Sequence, residues 1–270
     1  MAWTSITTED AQLEVLEEGS GEPVLLIQTA LTADEHRPVA TLLDPQRYRT
    51  IVTHRRGYAG SSPVEGPGSV ARDARDCVEV LASLQVDRTH VVGLSYSGAV
   101  ALQLAADAPD LVHSLVLIEP PPVHIPSRDD FLAANDRLMR TRREQGVAAA
   151  FEEFMTTLVG PDWETDSERR LPGSAEQMRR DATIFFDTDV PALLEWEFSP
   201  KEVDSVSCPV LYVGGTDSGP WWVEVRELIL DWFPDAEDVI IEGADHSLAL
   251  THPEEVAEAI SAFLRQHPIQ

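Results

Sequence analysis

The sequence predicts an α/β fold: a mostly parallel, doubly wound sheet covered by helices, with a block of helices set into it. Three observations carry that expectation. Short, nearly continuous apolar runs alternate with helix-like segments through the first 120 residues. The alternation stops between about 121 and 205, where the chain reads as helical and charged with no sheet-like run. It then resumes to the end. Strands buried on both faces read as unbroken apolar runs, and strand–helix alternation is the pattern of a parallel sheet.

The elements follow in order. "QLEVLEEG" alternates like a half-exposed strand, and "PVLLIQT" (23–29) and "YRTIVTH" (48–54) read as buried strands. Between them "ADEHRPVATLLD" is expected to be a helix ending before Pro45. A loop rich in Gly and Pro (57–68), a helix around 69–85 and the strand "HVVGL" come next, followed by the helix "YSGAVALQLAADAP" and the strand "LVHSLVLIEP". The inserted block holds "DDFLAANDRLMRTRREQ", "GVAAAFEEFMTTLVG", "SAEQMRRDATIFFD" and "VPALLEWEF". The strand "CPVLYVGG", a helix near 221–232, the strand "AEDVIIEG" and a final helix near 252–266 complete the chain. The insertion is expected to lie over the carboxyl ends of the strands, where open α/β sheets bind ligands.

Composition limits the function. Apolar residues are 43% of the 270, enough for a sizeable core. No apolar run is long enough to span a bilayer. The N-terminus lacks a basic stretch followed by an apolar one, so a cytoplasmic address is expected. A net charge of −27, with Lys201 the sole lysine, argues against nucleic acid or an anionic membrane as partner. Cys77 and Cys208 are too few and too far apart for a disulfide framework or a zinc site, and read as reduced structural thiols. The expected partner is a small-molecule substrate, and the protein a monomer or homodimer.

The chemistry gathers at strand ends. In Gly93-Leu94-Ser95-Tyr96-Ser97-Gly98 a serine sits where an apolar strand meets an apolar helix. A tight strand-to-helix turn exposes such a serine at a positively polarised helix end and needs small residues two before and two after it. Gly93 meets that need, and Ser97 stands where glycine is usual. An alcohol near neutral pH also needs a base, a group orienting that base, and donors for the oxyanion that forms. Asp217 follows the strand "VLYVGG" and His246 follows "VIIEG", in the order Ser, Asp, His. Glu119, ending "LVLIE", is an alternative orienting carboxylate. Asp245 is expected to face solvent, and His54 and His252 have no partner spacing.

These residues, with "HRRGYAGSSP" after the strand 48–54, resemble the α/β-hydrolase fold superfamily, in particular its lid-bearing, cofactor-free serine hydrolases. The resemblance covers nearly all of the chain outside 121–205. It implies the α/β-hydrolase fold with residues 1–120 and 206–270 as the core and a helical cap, 121–205, inserted after the sixth strand. It implies Ser95 as nucleophile, Asp217 as acid, His246 as base, the N–H groups of Tyr96 and Ala30 as oxyanion donors, and no metal or organic cofactor. The chain departs from the family at Gln28-Thr29, where His-Gly is usual. Gln28 is expected to fix the loop or to reach the substrate. Trp163, Phe186, Trp196 and Trp221 are candidates for an apolar substrate pocket, together with Phe185, Phe198 and Trp222. Each of these aromatics also has a reading as plain helix packing, and the arginines of "RLMRTRREQ" read as partners of nearby carboxylates. The expected activity is hydrolysis of a carboxylic ester or lactone. The alternatives are C–C hydrolysis, perhydrolysis or lyase chemistry with the same residues, or a hydrolase-like ligand-binding protein.

Overall fold

The computed structural model describes residues 2–269. Eight strands form one sheet: β1 (Thr4–Thr7), β2 (Gln12–Gly19), β3 (Glu22–Ile27), β4 (Tyr48–Thr53), β5 (Thr89–Leu94), β6 (Val112–Ile118), β7 (Val210–Gly215) and β8 (Glu237–Ile241). Their spatial order is β1-β2-β4-β3-β5-β6-β7-β8. β1 pairs antiparallel with β2 and β2 with β4; every other neighbouring pair is parallel. β1 is short and mostly exposed, and nothing in its sequence announces it.

The helices of the core are α1 (Arg37–Leu42), α2 (Val70–Ser83) and α3 (Tyr96–Asp107). The insertion between β6 and β7 carries α4 (Arg128–Gln145), α5 (Val147–Leu158), α6 (Trp163–Arg170), α7 (Ser174–Ile184), a π-helical turn (Phe185–Asp189), α8 (Val190–Glu195) and α9 (Pro200–Ser205). The chain ends with α10 (Pro220–Trp232), α11 (Leu248–Thr251) and α12 (Pro253–Gln266). Among the described residues no helix is long and apolar enough to cross a membrane. The first helix is shorter than expected, beginning at Arg37 with Pro38 in its first turn. Proline is tolerated in that turn and disfavours helix in the residue before it. Residues 33–36 instead form turns that carry the chain over the sheet's carboxyl edge.

Strand side chains alternate between two cores, as period-two geometry requires. Leu25, Ile27, Val91, Leu115, Leu117 and Tyr212 pack with α2, α3 and α10 on one face. Val24, Leu26, Val92, Val116, Ile118 and Leu211 pack with α1, α11 and α12 on the other. A third cluster, including Phe151, Met155, Trp163, Met178 and Phe186, belongs to the insertion and reaches the core at Leu31. The insertion is not uniform. Trp196, Phe198 and Val206, around and beyond α9, pack into the first core cluster instead.

Candidate active site

Ser95 caps the N-terminus of α3 with φ 50° and ψ −121°, a conformation that costs a non-glycine residue about 1–3 kcal/mol and survives only when its surroundings enforce it. The neighbours do enforce it. A Cβ on Gly93 would lie 2.3 Å from the Ser97 carbonyl oxygen, and one on Gly98 would lie 2.8 Å from Pro120 Cβ. Ser97, the departure in the motif, is fully buried, and its hydroxyl is used twice. It accepts the Leu94 N–H at 2.9 Å and donates to the Leu94 carbonyl at 2.9 Å, tying the turn to the strand it leaves.

The loop after β3 is tied to the same point. The Thr29 hydroxyl donates to the Leu94 carbonyl at 2.8 Å. Gln28 is buried; its Oε1 accepts the Arg55 N–H at 2.7 Å, and its carbonyl accepts Arg55 Nε at 3.1 Å. Gln28 therefore fixes the loop and does not line the cavity described below. Leu31, at φ 69°, donates its N–H to the Tyr58 hydroxyl at 3.0 Å. Gln177 of α7 grips the loop from above, donating to the Leu31 carbonyl at 3.0 Å and accepting the Ala33 N–H at 3.2 Å. Among the described residues the N–H groups of Ala30 and Tyr96 have no acceptor, as an anion-binding pair requires.

Arg55 organises this region. Its guanidinium is buried and bonds Asp189 through both terminal nitrogens at 3.0 and 2.7 Å, Asp73 at 2.9 Å and the Thr29 carbonyl at 3.3 Å. It stacks on the Tyr96 ring at 4.2 Å, and the Tyr96 hydroxyl donates to Asp73 at 2.9 Å. The Tyr58 hydroxyl donates to Asp189 at 2.5 Å. Asp189 ends the π-helical turn, a helix irregularity frequent at functional sites. One buried cluster thus joins core loop, serine turn and insertion.

His246 follows β8 and is buried, with its ring 4.2 Å from that of Trp222. Its Nδ1 lies 2.7 Å from Glu119 Oε2. Glu119 sits past the end of β6 at φ 41° and is fully buried, and its Oε1 accepts the Gly215 N–H at 2.8 Å. The carboxylate against His246 is therefore Glu119 and not Asp217. Asp217 is exposed; its Oδ1 accepts the Thr216 hydroxyl at 3.0 Å and its N–H bonds the Ala244 carbonyl at 2.9 Å. The physical reason is the turn after β7. Gly215 abuts Ala244 so closely that a Cβ would lie 2.1 Å from that residue's oxygen, and Asp217, two residues on, leans on the turn itself. In the tautomer that donates Nδ1–H to Glu119, His246 Nε2 is the acceptor nitrogen of the ring.

Ser95, Tyr96, Ala30 and His246 line one cavity of about 690 Å³ beneath the insertion, in the size range of small-molecule sites. Trp221 lines it as expected, with Trp222, Phe131, Phe154 and Phe185. Trp163, Phe186 and Trp196 do not. Trp163 packs edge-on to Phe151 at 5.2 Å under Arg179, and Phe186 is fully buried within the insertion. Trp196 donates its indole N–H to Gln103 of α3 at 3.0 Å. Of the arginines in α4, Arg142 pairs with Asp187, whereas Arg137 lines the cavity. His54 bonds Glu14 and Asp34 and stacks on Trp3.

The profile of the alpha/beta hydrolase fold matches residues 23–253, and the chain belongs to that family. It is 26% identical over 226 residues to a candidate carbamate hydrolase, RutD, of Caulobacter sp. (strain K31), spanning 81% of each chain. It is 24% identical over 219 residues to the esterase YbfF of Escherichia coli (strain K12), covering 76% of this chain and 78% of that one. A thermophilic esterase from Thermogutta terrifontis shares the fold with a TM-score of 0.81 at 23% identity, over 99% of this chain and 100% of the other.

Proposed function

We propose that this protein is a serine hydrolase of carboxylic esters or lactones with Ser95, His246 and Glu119 as its triad. One observation carries the reading: a serine held at positive φ on a helix N-terminus lines the same cavity as His246, whose Nδ1 is backed by the buried Glu119. The names of the esterase and hydrolase relatives support it. In this reading Ser95 Oγ attacks the substrate carbonyl while His246 Nε2 takes its proton, and Glu119 stabilises the imidazolium. The N–H groups of Ala30 and Tyr96 hold the oxyanion. Collapse expels the alcohol, which takes the proton from His246. Water then gives a proton to the same nitrogen and attacks the acyl-serine, releasing the acid and restoring Ser95. The test is labelling by a fluorescent alkyl phosphonate with parallel turnover of a p-nitrophenyl ester. Both are expected in the wild type and absent in Ser95→Ala; undiminished labelling of that variant removes Ser95 from the role.

A further inference from the structure

Among the described residues five acids are buried: Glu35, Asp73, Asp76, Glu119 and Asp189. Four have partners inside the protein. Asp73 and Asp189 hold Arg55, Asp76 holds Arg56, and Glu119 holds His246. Glu35 alone has no hydrogen bond or ion pair among the described residues, although it is only 8% exposed. It lines the cavity that contains Ser95 and His246. Buried polar groups are nearly always hydrogen-bonded, and a carboxyl left open onto a cavity can take a bound ligand as its partner. The geometry points to Glu35 as the recognition residue for an ammonium group on the substrate, so that the esters or lactones this cavity selects are cationic.

The sign of the charge comes from the rest of the wall. Glu153, Asp189 and Asp217 line the cavity with Glu35, and Arg137 is the only Lys or Arg among the lining residues. Arg55 does not reverse this balance, because it already faces two carboxylates, Asp73 and Asp189. A substrate carboxylate would enter an acidic field, and an ammonium would meet its counter-charge. The rings of Trp221, Phe131 and Phe154 on the same wall add aromatic surface of the kind that attracts cations. Burial, with Asp245 nearby, pushes the Glu35 carboxyl up to about 8, so without ligand it is mostly protonated at neutral pH. An ammonium removes the cost of its ionisation and displaces the proton.

This deepens the hydrolase reading and rests on it for the reaction, and its test is a binding measurement that needs no turnover. Hexylammonium, hexanol and hexanoate are titrated into the full-length protein by calorimetry at pH 7, in two buffers of different ionisation enthalpy. The wild type is expected to bind hexylammonium at least about tenfold more tightly than hexanol, with hexanoate weakest. Proton release into the buffer is expected to accompany the amine only. In Glu35→Gln, and in Glu35→Leu should the first fold poorly, the preference and the proton release both disappear. Equal binding of amine and alcohol by the wild type overturns the inference, as does a preference that survives in a folded variant. Glu35-dependent amine binding without Ser95 labelling would sink the hydrolase reading alone. Labelling without an amine preference would sink this inference alone.

Discussion

The pairing of Glu119 with His246 makes the sharpest prediction, because Glu119→Gln changes one functional group and almost no volume. Glu119 has one oxygen on the Gly215 N–H at 2.8 Å and the other 2.7 Å from His246 Nδ1. The glutamine oxygen is expected to keep the Gly215 bond, since only an acceptor fits there. Its amide NH2 then faces Nδ1, which must become an acceptor, and the proton moves to Nε2. A ring with Nε2 protonated cannot take a proton from Ser95. Loss of the correct tautomer in a serine triad costs roughly 10⁴ in kcat, or about 5 kcal/mol of barrier at 1.36 kcal/mol per tenfold. Asp217→Asn is the control. That carboxylate is exposed and among the described residues meets only the Thr216 hydroxyl, so kcat is expected to stay within about threefold. Turnover of a p-nitrophenyl ester, divided by the fraction of sites titrated with phosphonate, separates lost chemistry from lost protein. Collapse of Asp217→Asn with Glu119→Gln near wild type would refute the assignment.

Three further outcomes follow from the same structure. Asp189→Ala leaves the buried Arg55 with Asp73 as its one carboxylate partner and strips the Tyr58 hydroxyl of its acceptor, and is expected to lower stability by about 3–5 kcal/mol, read as a fall in the urea midpoint. Ser97→Ala strands the Leu94 N–H in a buried turn, at a cost of about 1–3 kcal/mol in the same assay. The raised Glu35 carboxyl gives a pH signature. The folded state keeps this proton up to about pH 8, whereas the unfolded chain releases it near 4.5, the ordinary value for a glutamate. Stability therefore falls as pH rises through that window and levels off above it. Glu35→Gln lacks the effect, so its Tm advantage over the wild type should grow from pH 5 to pH 8.

Much of the architecture is legible in the sequence because period-two strands buried on both faces leave unbroken apolar runs. "PVLLIQT" and "HVVGL" fall within a residue or two of their strands. The serine turn is legible for the same reason, since Gly93, Ser95 and Gly98 mark steric needs that act within a few residues. The partner of His246 is not. Both Glu119 and Asp217 follow apolar strands, and the choice depends on a turn whose geometry is set by contact between Gly215 and Ala244, 29 positions apart in sequence numbering. Which of the aromatics reach the cavity is hidden for a related reason. Phe185 and Phe186 are adjacent, and a π-helical turn decides which faces the cavity. Glu35 gave no sequence signal, because it falls in "ADEHRPVATLLD", which reads as a helix whose charged residues normally mean solvent.

The grip of Gln177 on the loop that follows β3, and of Asp189 on Arg55 and Tyr58 beside it, has a practical consequence for anyone reshaping this protein. The roof is not a detachable module. A transplanted cover from a relative would have to bring an amide and an acid to these two places, or the floor beneath it would lose its anchors. Altered selectivity is better sought at side chains that only border the hollow, such as Phe131 or Leu193, than by exchanging whole helices.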